Sequence, residues 1–266
     1  MRGFRLTRRN ITVCTATALG LLGLGAQPSA CADIRVFSSG APAQVEKALA
    51  AKYAEATGDR VVFALGTVRV IQEKLSGAET PDIVVLPSPV LDVLDKAAKL
   101  HPGSRIDLAR VGIGVVVREG APLPDISTPD ALRKALLAAR SIAHPDPQGG
   151  GFAGEQITRL FTRLGIADAL KPKVTLAYAF AGGVAQVASG EAEIGLFNIS
   201  EILPVKGVTL VGPLVGDLQS YIVFSAALHV GGGAPGPATG FLRWLSAPQA
   251  REAWKAGGFE LMGGER

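Results

Sequence analysis

Residues 33–65 read DIRVFSSGAPAQVEKALAAKYAEATGDRVVFAL, and the order of patterns in this stretch sets the fold class. Ile34 to Phe37 is a short β-branched and aromatic run of the kind that forms a strand. Ser38-Ser39-Gly40 interrupts it. Pro42 to Thr57 then places Val45, Leu49, Tyr53 and Ala56 on one helical face and stops at Gly58. Arg60 to Ala64 is the next strand. Strand, small-residue turn, amphipathic helix and strand make one βαβ unit, in which the helical crossover makes the two strands parallel.

The alternation continues toward the C-terminus. Val68 to Leu75 predicts a helix, Asp82 to Leu86 a strand, and Val90 to Lys99 a helix with Leu91, Leu94 and Ala98 inward. Val111 to Arg118 is a continuous apolar run, which fits a strand buried on both faces. After the Pro-rich connector Gly120 to Pro124, Ser127-Thr128-Pro129-Asp130 starts a helix over Ala131 to Ala139. Strands at Ser141 to Ala143, Val174 to Ala177 and Ile194 to Phe197 then alternate with helices at Ala153 to Leu164 and Gly183 to Ser189. Tyr221 to Leu228 is a further strand. Helices over Thr239 to Leu245 and Pro248 to Ala256 close the chain, with Trp244 and Trp254 on their packing sides.

Toward the N-terminus, Met1 to Ala32 reads as a signal peptide. Arg2, Arg5, Arg8 and Arg9 make a basic start, Ile11 to Ala26 is apolar, and Ala30-Cys31-Ala32 is a small-x-small cleavage site. The apolar run is about 16 residues, short of the roughly 20 that span a bilayer, and no later segment approaches that length. Thr7-Arg8-Arg9-Asn10-Ile11 also resembles a twin-arginine export motif. The mature chain is expected to begin near Asp33. Four of the 27 Lys and Arg and none of the 23 Asp and Glu lie in the leader, so the mature charge is balanced and nucleic acid is not an expected partner. Cys14 and Cys31 also fall in it, leaving no disulfide or thiolate site. His101, His144 and His229 lack the spacing of a metal site, and no metal or cofactor is expected.

Ser38-Ser39-Gly40, Gly66-Thr67, Gln148 to Gly151, Ala181-Gly182-Gly183 and Asn198-Ile199-Ser200 each follow a strand, on the edge where open α/β sheets bind ligands. Small residues there leave helix N-terminal N–H groups free for an anion. No Gly-x-Ser-x-Gly nucleophile motif and no Walker loop is present.

Ile34 to Phe37 with its Ser-rich loop, Gly-Ala-Glu-Thr-Pro-Asp-Ile at 77–83, Ala143-His144-Pro145-Asp146 before glycines, and Gly190-Glu191-Ala192-Glu193-Ile194-Gly195 resemble the periplasmic molybdate-binding proteins. The resemblance covers Asp33 to about Phe259. It implies an α/β chain with the type II periplasmic binding protein fold, two lobes joined by two crossing strands. Lobe 1 would be residues 33–110 plus 223–266, lobe 2 residues 117–220, and the hinge strands 111–117 and 221–224. It further implies a monomeric periplasmic protein that holds a small anion, oxyanion or carboxylate, in the interlobe cleft and hands it to an ABC permease. Aconitate isomerase, also exported, resembles the same family, so a proton-transfer enzyme on this fold is the alternative.

The chain departs from that family at the anion. The serines with which molybdate binders hold it fall on Ala41 and Val68, and their tyrosine falls on Asn198. Ser38, Ser39 and Thr67 stand near enough to substitute. Arg69 adds a guanidinium, whose planar fork suits a carboxylate. The expected binding set is therefore Ser38, Ser39, Thr67 and Arg69 from one lobe with Gly149, Gly150, Gly182 and Asn198 from the other. His144 and Glu201 are candidate proton carriers for the enzyme alternative. Their plainer readings are a histidine bonded within its own turn and a surface carboxylate.

Overall fold

The structure, a computed structural model, describes residues 31–177 and 182–262. The expected leader therefore lies outside the described residues except for Cys31 and Ala32, as does Ala181 of the fourth ligand loop.

The first half of the molecule opens with β1 (Asp33–Ser39), α1 (Ala43–Thr57), β2 (Arg60–Gly66), α2 (Val68–Ser76), β3 (Ile83–Pro87) and α3 (Ser88–Lys96). β4 (Ile106–Arg118) leads into the second half, with α4 (Pro129–Ala138), β5 (Ile142–Pro145), α5 (Phe152–Arg163), α6 (Ala167–Leu170) and β6 (Val174–Ala177). There follow α7 (Gly182–Ser189), β7 (Ile194–Asn198), α8 (Ile199–Ile202) and β8 (Val208–Pro213). β9 (Tyr221–Leu228), α9 (Pro235–Ser246), α10 (Arg251–Ala256) and β10 (Glu260–Leu261) return to the first. Local chemistry sets the ends. Gly58 takes φ 83°, which a side chain would disfavour, and donates its N–H to Ala54 O at 2.8 Å to close α1. Thr128 Oγ1 accepts the Ala131 N–H at 3.1 Å and Pro129 begins α4.

The sheet is continuous and curled, in the order β2-β1-β3-β9-β4-β7-β5-β6, with β8 and β10 also pairing β4. β1 runs parallel to β2 and β3, and β5 runs parallel to β6 and β7, as the two βαβ patterns require. The halves meet on β4. Residues 106–112 of β4 pair antiparallel with β9, and 113–117 pair with β7 on one side while 114–118 pair with β8 on the other. Val111, Ile113, Val115, Val116 and Val117 are each 2% exposed or less, which accounts for the unbroken apolar run. Each such side chain stabilises the fold by about 1.5–3 kcal/mol through burial. α9 seals the first half: Phe241 and Trp244 pack on Tyr53 of α1 with ring centroids 5.2 and 5.5 Å apart. Trp254, 1% exposed, donates to Leu245 O at 2.8 Å.

β8, α6, α8 and β10 are absent from the pattern read off the sequence. The β-branched run Val208–Val211 was the signal available for β8, which ends in Gly212-Pro213 and is bulged against β4 between Val115 and Val116. Residues 221–224 pair with β4 residues 109–112, inside the first half, and the passage back from β8 is made by Leu214 to Ser220.

The Leu214 N–H donates to Ile113 O at 3.1 Å and Arg163 to Asp217 O at 2.8 Å along that passage, and the Gln219 side chain fastens its end to β4. Gln219 Oε1 accepts the Ile113 N–H at 2.9 Å, and its Nε2 donates to Ile113 O at 3.0 Å, as a neighbouring strand would. A Cβ on Gly112 would lie 2.7 Å from Gln219 Nε2, so only glycine admits the amide. Gln219→Ala is expected to cost about 1–3 kcal/mol, the penalty for an unsatisfied buried backbone group, without changing the denaturant slope. Urea unfolding checks it.

Candidate functional site

A cavity of about 100 Å³ lies where the loops after the strands of both halves converge. From the first half come Ser39, Gly40 and Ala41 after β1, Gly66, Thr67 and Val68 around the start of α2, and Pro87 at the start of α3. From the second come Pro145, Asp146, Gly149 and Gly151 to Ala153 around the start of α5, Gly183 and Val184 in α7, and Phe197, Asn198 and Glu201 at and after the end of β7. Ile222 and Phe224 of β9, paired to β4, add an apolar wall. Five helices of eight or more residues, α1, α2, α3, α5 and α7, thus begin at the cavity, and their unpaired N–H groups and dipoles favour negative charge there. Among the described lining residues none is Lys, Arg or His. Two buried polar atoms of the lining lack a partner, Ser39 Oγ and Asn198 Oδ1.

The expected binding residues separate into those that reach the cavity and those that do not. Ser39, Thr67, Gly149 and Asn198 line it. Ser38 is fully buried behind it and donates to Ser39 O at 3.0 Å. Thr67 Oγ1 caps α2 by accepting the Val70 N–H at 3.4 Å. Gly150 closes the mouth instead: with φ 79°, a Cβ there would sit 2.4 Å from Arg69 Cβ, so the loop of one half touches α2 of the other. Gly182 begins α7 beside Gly183 of the lining. The carboxylate-selecting cation expected at Arg69 is not part of the lining. Its side chain is 62% exposed and pairs with Glu73 at 3.8 Å, because position 69 falls on the outer side of the first turn of α2. Ala41 and Val68, where the family's serines would stand, do line the cavity, and so does Asn198.

The chain matches the family described as bacterial extracellular solute-binding protein over residues 34–260. It belongs to that family. Among curated relatives, the solute-binding protein is 31% identical over 252 residues to aconitate isomerase from Pseudomonas sp., covering 91% of this chain and 95% of the relative. It is 26% identical over 252 residues to molybdate-binding protein ModA of Azotobacter vinelandii, covering 92% and 96%. The solved periplasmic molybdate-binding protein of Azotobacter vinelandii superposes with a TM-score of 0.74 at 23% identity, over 86% of this chain and 99% of that one. The fold is thus that of the periplasmic binding proteins.

Three titratable groups of this solute-binding protein are displaced by burial near the site. His144 bonds within its own turn, Nδ1 to Pro145 O at 2.8 Å, lies edge-on to Phe161, and is held below its ordinary range by burial. It does not line the cavity. Glu201 is not the surface carboxylate that its sequence context suggested. It lines the cavity three residues after Asn198, whose Nδ2 donates to Glu201 Oε2 at 2.9 Å, and burial pushes its carboxyl up to about 7. Its position in the first turn after a strand was the signal available in sequence. Glu46 of α1, fully buried, is pushed up to about 8 by burial, with the Ser38 hydroxyl acting the other way.

A carboxyl whose folded pKa exceeds its unfolded value makes the folded chain hold the extra proton, so stability is greatest at low pH and is lost as pH rises. For Glu46 the window runs from about 4.5 to about 8, with a slope of at most about 1.4 kcal/mol per pH unit. Glu46→Gln is expected to gain stability relative to wild type as pH rises from 5 to 8. Urea unfolding at both pH values measures it, and parallel stability curves would contradict it.

Proposed function

We propose that this protein captures a small anion in the cavity and delivers it to an ABC permease, working in the periplasm as a monomer cut near Asp33. The observation that carries the reading is the cavity itself: helix N-termini from both halves, the orphaned Ser39 hydroxyl, and no cationic side chain among the described lining residues. Neutral donors and helix dipoles suit an oxyanion or a small carboxylate. The volume is far below the roughly 300–1,000 Å³ of sites for drug-sized ligands. Among the described residues no helix is long and apolar enough to cross a membrane. The lobes would be residues 33–110 with 223–266 and 117–220, closing by rotation about β4 and the 214–220 return.

One observation favours a second reading. Glu201, with a carboxyl near neutrality at the cavity, has the pKa that a general acid–base needs, and the aconitate isomerase relative matches over 91% of this chain. On that reading Glu201 would carry the proton between two carbons of an unsaturated tricarboxylate.

Thermal unfolding with molybdate, tungstate, sulfate, citrate and the aconitates tests the carrier. An anion at a hundredfold over its Kd stabilises by about 2.7 kcal/mol, which is roughly 5–10 °C for a chain of this size. No shift with any of them would overturn the anion reading. The enzyme reading is tested by incubating the protein with trans-aconitate and following cis-aconitate by NMR. Turnover by wild type that is lost in Glu201→Gln supports it, and absence of turnover despite binding leaves the carrier.

A further inference from the structure

Asn198 and Glu201 form a polar pair in an otherwise apolar corner of the cavity. Asn198 is 5% exposed, and its amide N–H₂ is turned to the Glu201 carboxyl, so the end left without a partner is the amide oxygen. An acceptor is the wrong group to present to an anion. Across the cavity Ser39 Oγ is also buried and unpartnered, and an anion would accept its proton.

Which end of the Asn198 amide meets Glu201 depends on one proton. An ionised carboxylate only accepts, so it draws the N–H₂ to itself, as seen here. A protonated carboxyl donates through its O–H, which calls for the amide oxygen and sends the N–H₂ the other way. We infer that Glu201 and Asn198 form a proton-operated selector, in which anion capture takes up one proton on Glu201 and turns the Asn198 amide from acceptor to donor toward the ligand. The inference rests on the anion reading of the cavity and holds for a carrier or an enzyme alike.

The surroundings leave Glu201 to respond to the ligand. α8 packs on β4, β7 and β8, and residues 113–117, 194–198 and 208–213 carry no titratable side chain. Gly258, which abuts Ile199, adds none. Asp146 is the other charged residue of the described lining, and its Oδ1 accepts the Gln148 N–H at 2.9 Å. Burial raises the Glu201 carboxyl to about 7, and the Asn198 hydrogen bonds oppose the shift. With no cation in the described lining to offset it, an ionised Glu201 would repel an entering anion.

Calorimetry with molybdate, sulfate and trans-aconitate at pH 7.5 and 9, in buffers of different ionisation enthalpy, tests this. The anion that binds wild type is expected to do so with uptake of close to one proton, and to weaken roughly 25-fold between the two pH values as the competent fraction falls. Glu201→Gln, neutral at every pH and able to donate to the Asn198 oxygen, is expected to bind at least as tightly at pH 7.5 and equally at pH 9. Wild-type binding without proton uptake would overturn the inference whether or not the variant folds, as would a Glu201→Gln protein that keeps the pH dependence. If none of the three anions binds at either pH, the anion reading fails, and the ligand-free protein decides the pair. An Asn198 side-chain ¹⁵N resonance that titrates near neutrality in wild type and not in Glu201→Gln supports the amide turn. A resonance fixed in both overturns it.

Discussion

The organisation of this molecule depends on keeping the backbone of β4 hydrogen-bonded while its partners change. Over 13 residues β4 exchanges β9 for β7 and β8 without leaving the core. Buried N–H and C=O groups left without partners there would cost more than any single side-chain contact returns. The exchange happens at Gly112 and Ile113, and the Gln219 amide completes it by supplying both a donor and an acceptor to Ile113. A side chain in place of a strand is a looser constraint than a full ladder.

The cavity follows from the same junction. Ile222 and Phe224 pair with β4 at Val111 and Ala109 and turn their side chains toward the ligand space, so the wall of the cavity is the strand beside the crossover. The loops facing it belong to opposite halves and touch at Gly150 and Arg69. Because the wall is apolar and the described rim lacks cations, negative charge is compensated by helix dipoles and neutral donors. A buried guanidinium would carry a desolvation penalty of several kcal/mol before any ligand arrived. Arg69 avoids it by pairing with Glu73 in solvent. The same low polarity raises the Glu201 carboxyl to about 7.

Much of the fold was legible because periodicity and punctuation agree locally. The βαβ order and the doubly buried strand at residues 111–118 follow from patterns within a dozen residues, and of the small-residue loops after the strands, Ser39, Thr67, Gly149 and Asn198 line the cavity. β8 escaped because its strand-forming run, Val208–Val211, is only four residues long before Gly212-Pro213. Ser38 and Arg69 stand apart from the lining for a shared reason. Neighbours in a turn point in opposite directions, and one residue of uncertainty in where a helix starts moves a side chain from cavity to core or solvent.

The sequence by itself determined the α/β class, the parallel units and the edge on which a ligand would bind, since these depend on hydrophobic period and on residues whose backbone freedom is intrinsic. Only the tertiary structure decided which side chains meet there. It turned Arg69 outward, placed Ala41 and Val68 in the lining, and brought the Glu201 carboxyl within 2.9 Å of the Asn198 amide. The physical reason is that burial, unlike propensity, belongs to the assembled chain. The dielectric around Glu201 is set by strands up to some ninety residues away in sequence, and no local pattern records it.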